Sequence, residues 1–260
     1  MHFMLLHTHK SGQQDSNTVP VVLIHGLFGS YENLGVIERS LSTEYQVVNV
    51  DVRNHGRSGH SEQMSYALMA EDLAQTLDEL GITTAVLLGH SMGGKLAMAF
   101  ALRYPQRVSK LILADIAPVA YPPRHNSIFA GLTAVNLAGI TSRSDADKQL
   151  AQHISEPGVR QFLLKSLAKD NDTFYWRFNL AALQANYAAL IDAPVAESRY
   201  DGPTLFIKGG DSDYILPEHK ARITQLFPQA QAKIIQGTGH WLHAEKPAAF
   251  TKLVQDFLLS

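Results

Sequence analysis

A chain of 260 residues, 45% hydrophobic and 18% charged, has enough apolar material for one large core with room for a small inserted unit. The formal net charge of −2 gives no basic footprint for nucleic acid. The absence of cysteine excludes a disulfide framework, a thiolate nucleophile and a zinc–thiolate site.

The first residues, Met1 to His7, lack a basic segment, a long apolar segment and a small-residue cleavage site. No apolar run is long enough to span a bilayer, so a soluble, cytoplasmic protein without membrane insertion is expected. A short apolar segment over 3–6 and a polar turn over 10–18 come first. The run over 19–24 then reads as a strand buried on both faces. It empties into His25-Gly26-Leu27-Phe28-Gly29-Ser30, a loop small enough to aim backbone N–H groups at a developing oxyanion.

A helix over 31–41 and a strand over 46–51 follow, then a polar loop with Arg53 and His55, for which stabilising the loop is the expected role. A helix over 66–80, with Met69, Leu73, Leu77 and Leu80 on one face, stops at Gly81. Next, Ala85-Val86-Leu87-Leu88 runs into Gly89-His90-Ser91-Met92-Gly93-Gly94, with a helix-prone segment at once behind it. Strand, Gly-x-Ser-x-Gly and helix in that order make a nucleophile elbow, a turn so tight that its serine is strained and its hydroxyl exposed. A strand over 108–115 ends at Asp115. The alternation implies an α/β fold, a mostly parallel sheet with helices on both faces.

Between 119 and 199 the alternation breaks into helical patches over 128–137, 146–154, 159–167 and 180–191, with no strong strand signal. This stretch reads as a helical cap inserted over the carboxyl edge of the sheet, the core being 1–118 and 200–260. Phe162, Phe174, Tyr175 and Trp176 of the cap are candidate pocket liners, and Phe28 is a further candidate for substrate contact. A strand over 203–208 leads to Gly209-Gly210-Asp211-Ser212-Asp213, then a helix over 217–227 and a strand over 232–236. Gly237-Thr238-Gly239-His240-Trp241 and a last helix over 248–259 close the chain. His240 follows the serine and every candidate acid, whereas His25, His55 and His243 are decoys. The residues leave the acid open between Asp115 and Asp213, each at the end of a sheet strand.

These motifs, together with Asp51-Val52-Arg53-Asn54-His55-Gly56, Asp115-Ile116-Ala117-Pro118-Val119 and Gly239-His240-Trp241-Leu242-His243-Ala244-Glu245-Lys246-Pro247, closely resemble those of α/β-hydrolase-fold serine esterases of the bacterial YbfF type. Two cap segments, Gln161-Phe162-Leu163-Leu164-Lys165-Ser166 and Trp176-Arg177-Phe178-Asn179, are similar as well. The resemblance implies hydrolysis of carboxylic esters, with acyl thioesters a further possible class, through a triad of Ser91, His240 and an aspartate. It favours Asp115 over Asp213, and it implies an oxyanion hole built from the N–H groups of Leu27 and Met92, with Phe28 the lesser candidate. The expected partner is a small-molecule acyl ester, the expected state a monomer or small homo-oligomer, and no metal or organic cofactor is needed. Carbon–carbon bond hydrolysis or perhydrolysis by the same triad, and a ligand-binding relative with vestigial catalysis, are the competing readings.

Overall fold

The computed structural model describes residues 4–13, 18–194 and 198–260. The first three residues, including the start of the apolar segment over 3–6, part of the turn over 10–18, and residues 195–197 of the expected cap lie outside the described residues.

The chain runs β1 (Thr8–Ser11), β2 (Val21–Ile24), α1 (Gly35–Leu41), β3 (Val47–Val50), α2 (Tyr66–Glu79), β4 (Ala85–His90), α3 (Met92–Arg103) and β5 (Val108–Ala114). After an insert it resumes with β8 (Thr204–Gly209), α9 (Lys220–Leu226), β9 (Ala230–Ile235), α10 (Leu242–Glu245) and α11 (Pro247–Leu259). Among the described residues the strands form a seven-stranded sheet in the order β1-β3-β2-β4-β5-β8-β9. Every neighbouring pair is parallel except β1 with β3. β1 corrects the expectation of a turn over 10–18. Its residues are polar and half exposed, because an edge strand needs no apolar run to find hydrogen bonds.

Continuous apolar strands serve two cores because successive side chains point to opposite faces. On one face Val22, Ile24, Val48, Val50, Leu87 and Leu113 meet Met69, Leu73 and Leu77 of α2 and Leu96 and Phe100 of α3. On the other, Val21, Leu23, Val47, Val86, Leu88 and Ile112 meet Ile37 and Leu41 of α1 and Phe250, Val254 and Phe257 of α11. Each such buried side chain contributes roughly 1.5–3 kcal/mol of transfer free energy. α2 is bounded as its sequence suggests: the Ser65 hydroxyl accepts the Leu68 N–H at 3.3 Å, and Gly81 turns the chain at φ +69°.

The insert between β5 and β8 adds no strand to this sheet among the described residues. It holds α4 (Asn126–Ala134), α5 (Arg143–Leu150), α6 (Pro157–Leu164), β6 (Leu167–Asp170), β7 (Thr173–Trp176), α7 (Leu180–Ala185) and α8 (Tyr187–Ile191). The hairpin β6–β7 is a correction to an all-helical reading of this stretch. Its signal is Asn171-Asp172, whose φ of +42° and +67° make the two-residue turn that joins twisted strands, a conformation open to Asn and Asp. The insert is tied to the layer beneath it at several points. Ser166 Oγ donates to the Phe28 carbonyl at 2.8 Å, the Asn179 N–H to the Asn54 carbonyl at 2.9 Å, and Tyr66 Oη to the Leu190 carbonyl at 2.7 Å. Lys95, in the first turn of α3, reaches the Ile191 carbonyl at 2.8 Å and that of Asp192 at 2.6 Å.

Candidate active site

Ser91 lies between β4 and α3 with φ +53° and ψ −119°, a conformation an L-residue adopts only when its surroundings force it. The force comes from close packing. A Cβ on Gly89 would lie 2.2 Å from the Gly93 carbonyl oxygen, and one on Gly93 only 2.3 Å from that of Ile24. No side chain fits at either position, so the turn can close on itself and push the serine hydroxyl off the end of β4.

That hydroxyl lies 2.9 Å from His240 Nε2, and His240 Nδ1 lies 2.8 Å from Asp115 Oδ2. Asp115 is fully buried at the end of β5, itself at φ +50°. Its Oδ1 accepts the Gly209 N–H at 3.0 Å, and Oδ2 also accepts the Ser212 hydroxyl. Three donors on one buried carboxylate fix its orientation. Tyr214 stacks on the His240 ring at 3.7 Å between centroids and 14° between planes. The His240 carbonyl in turn accepts a hydrogen bond from His90 Nε2 at 2.8 Å. Asp213 is not brought to this array. It is exposed and paired with Arg124 Nη1 at 2.5 Å, and that hydrogen bond holds its carboxyl below the usual range.

The loop after β2 is braced by two of the three histidines read as decoys, His25 and His55. His55 Nδ1 donates to the Arg53 carbonyl at 2.9 Å, which leaves Nε2 to accept the Phe28 N–H at 3.1 Å. His25 repeats the pattern: Nδ1 donates to the Gly26 carbonyl at 2.8 Å and Nε2 accepts the Val52 N–H at 3.0 Å. Burial keeps both rings neutral, pushing His55 down to about 3. The Phe28 N–H is thus engaged by His55, and Leu27 and Met92 line a chamber together with Ser91. Arg53 is buried and forks onto Asp72, Nε to Oδ2 at 2.5 Å and Nη2 to Oδ1 at 2.7 Å. His243 is buried against His90 at 4.3 Å and Phe250 at 6.1 Å between ring centroids.

Two narrow chambers flank the serine, with Leu27, Ser91 and His125 in the wall of both. One, of about 30 Å³, runs past Met92 toward Lys95, Ile116, Tyr121 and Ile191. The other, of about 50 Å³, is bordered by Phe28, Ile128, Phe162, His240 and Trp241. A single water needs roughly 10–15 Å³ in the same measure, so each holds only a small group as it stands.

A model of the α/β hydrolase fold family matches residues 19–247. The chain belongs to that family. This hydrolase is 42% identical to esterase YbfF of Escherichia coli (strain K12) over 250 residues, which cover 96% of each chain. It is 40% identical to an sn-1-specific diacylglycerol lipase of Mus musculus, over 94% of this chain and 82% of that one. A solved structure described as a marine microorganism esterase superposes with a TM-score of 0.94 at 35% identity, covering 98% of this chain and 99% of the other.

Of the aromatic residues expected to line a pocket in this hydrolase, Phe28 and Phe162 border the second chamber. Trp176 is a correction. Strand alternation turns it and Phe174 into the insert, where the indole stacks on Phe178 at 5.4 Å, while Tyr175 faces out. The sequence reading missed Ser212, Tyr214, Tyr187 and His125. The first two lie within five residues of Gly209, on the loop that carries Asp213, and an aspartate held from β5 needs just such a neighbouring loop to close around it.

Proposed function

We propose that this α/β hydrolase is a serine esterase that hydrolyses carboxylic esters through an acyl-enzyme, with Ser91, His240 and Asp115 as its triad. The observation that carries the reading is the unbroken chain Ser91 Oγ–His240 Nε2 and His240 Nδ1–Asp115 Oδ2, at 2.9 and 2.8 Å. His240 takes the serine proton as Oγ attacks the acyl carbon, and Asp115 stabilises the imidazolium and holds Nδ1 protonated. The Leu27 and Met92 N–H groups donate to the developing oxyanion, where a preorganised donor is worth most. His240 then returns its proton to the leaving alkoxide as the carbon–oxygen bond breaks. Water attacks the acyl-enzyme by the same route, His240 taking its proton and giving it back to Ser91.

The chamber beside His240 and Trp241 suits the leaving group, since His240 must reach its oxygen; the chamber beyond Met92 then takes the acyl group. Residues 119–199 act as the cap over both. Small chambers and bulky walls support a preference for short acyl groups. The test pairs stoichiometric labelling of Ser91 by a fluorophosphonate with hydrolysis of oxygen esters and thioesters across acyl lengths. Labelling together with turnover of short esters is the expected result. An unlabelled Ser91, or turnover of diketones in preference to esters, would refute the reading.

A further inference from the structure

A second histidine beside Ser91 has its proton placed by a tyrosine. The Tyr187 hydroxyl oxygen accepts the Arg124 N–H at 3.0 Å and the His125 N–H at 3.2 Å. It also lies 2.7 Å from His125 Nδ1. A phenol oxygen has two lone pairs and one hydrogen. With both lone pairs taken by backbone donors, the third contact uses the hydroxyl hydrogen, and His125 Nδ1 must accept it. Burial, with His240 and Arg124 nearby, keeps the ring neutral, its pKa pushed down to about 4. A neutral imidazole whose Nδ1 accepts carries its proton on Nε2. The ring lines both chambers, and the edge turned away from Tyr187 is the one that bears this N–H.

Of the other polar side chains of the acyl chamber, four are already directed elsewhere. Tyr66 Oη donates to the Leu190 carbonyl, Tyr121 Oη to the Tyr214 carbonyl at 2.6 Å, and Lys95 to two carbonyls of the insert. Arg124 is committed to Asp213 and lies over the Tyr214 ring. We infer that His125 determines acyl specificity, its Nε2–H donating to an oxygen carried by the acyl chain close to the scissile carbonyl. The chemical class favoured is therefore an ester whose acyl group bears an ether, keto or hydroxyl oxygen, over a hydrocarbon acyl of equal length. The discrimination is one-sided: a hydrocarbon chain that displaces water from the chamber leaves the N–H without an acceptor.

The inference rests on the esterase reading, and its test separates the two. The kcat/KM values for p-nitrophenyl methoxyacetate and p-nitrophenyl butyrate, acyl groups of matched length, are each divided by the hydroxide-catalysed rate of the same ester. The normalised ratio in the wild type should favour methoxyacetate, and in His125→Phe it should fall about five- to tenfold, the worth of one neutral hydrogen bond. Tyr187→Phe should lower it as well, by freeing the ring to exchange tautomers. Nitrogen-15 NMR of the wild-type imidazole should show Nδ1 unprotonated and Nε2 protonated, independent of any turnover. A ratio unchanged in His125→Phe, even with both rates reduced, would overturn the inference, as would a proton on Nδ1. Should His125→Phe fail to fold, the Tyr187→Phe ratio and the wild-type spectrum decide. Absence of turnover of both esters counts against the esterase reading instead, and the spectrum alone then decides the tautomer.

Discussion

Replacing Asp115 by Asn keeps the volume of the side chain but changes what it can offer. In the wild type both oxygens accept: Oδ1 from Gly209 and Oδ2 from His240 and Ser212. An amide can accept on one side only. If its oxygen faces Gly209, its NH₂ faces His240, and Nδ1 must become the acceptor. The ring proton then moves to Nε2, which can no longer take a proton from Ser91. If the amide flips, two donors confront each other at Gly209 in a fully buried site, at a cost of roughly 1–3 kcal/mol. The first arrangement wins, so the enzyme is held in the wrong tautomer. The expected loss in kcat is on the order of 10⁴-fold, about 5.4 kcal/mol of transition-state stabilisation. Asp213→Asn breaks a solvent-screened pair with Arg124 and should cost less than about fivefold. Initial rates on a short p-nitrophenyl ester, with circular dichroism to verify folding, compare the two variants. A folded Asp115→Asn with near-normal kcat, or an Asp213→Asn that loses most activity, would refute the assignment.

Ser91→Ala should remain folded and lose roughly 10⁶-fold in kcat, read by the same assay with active-site titration to exclude wild-type carry-over. Rates along a series of p-nitrophenyl esters should fall from short to long acyl chains, since each methylene kept out of the chamber forfeits about 0.8 kcal/mol of burial; a steady rise toward long chains would contradict the chamber assignment. Stability should fall as pH drops below about 6.5, the unperturbed histidine value, because burial pushes His55 and His243 down to about 3 in the folded state while the unfolded chain takes up those protons. The sign follows from the depressed native values: the stabilisation is complete above 6.5 and drains away toward pH 3. Thermal unfolding of His243→Leu between pH 7.5 and 4.5 should show a shallower decline than the wild type.

Most of the sheet was legible because parallel strands buried on both faces are written as unbroken apolar runs, and Ser91 because a tight elbow demands glycine on both sides. The pairing of His240 with Ser91 was legible from chain order. Which aspartate meets His240 was not legible from the residues alone: Asp115 and Asp213 both follow strands, and only the depth of Asp115 beside Gly209 and the exposure of Asp213 beside Arg124 separate them. The β6–β7 hairpin escaped notice because its turn is Asn171-Asp172 rather than a glycine pair, and its strands are four residues each. The roles of His55 and His125 lie in which ring nitrogen holds a proton. That is decided by backbone groups distant in sequence, such as the Phe28 N–H for His55, and by a tyrosine hydroxyl 62 residues away for His125.

The ties between insert and sheet bear on how new substrate ranges can be engineered or evolved. Exchanging residues 126–192 for a foreign segment would remove the Ser166 hydroxyl from the carbonyl of Phe28, the residue after Leu27. It would also strip Lys95, one turn behind Ser91, of the two carbonyls that accept its ammonium. The segment is therefore no interchangeable cassette. A chimera that keeps a serine facing Phe28 and a helix end facing Lys95 should retain turnover on a small ester, whereas one that alters only the chamber-lining residues while losing those two anchors should not.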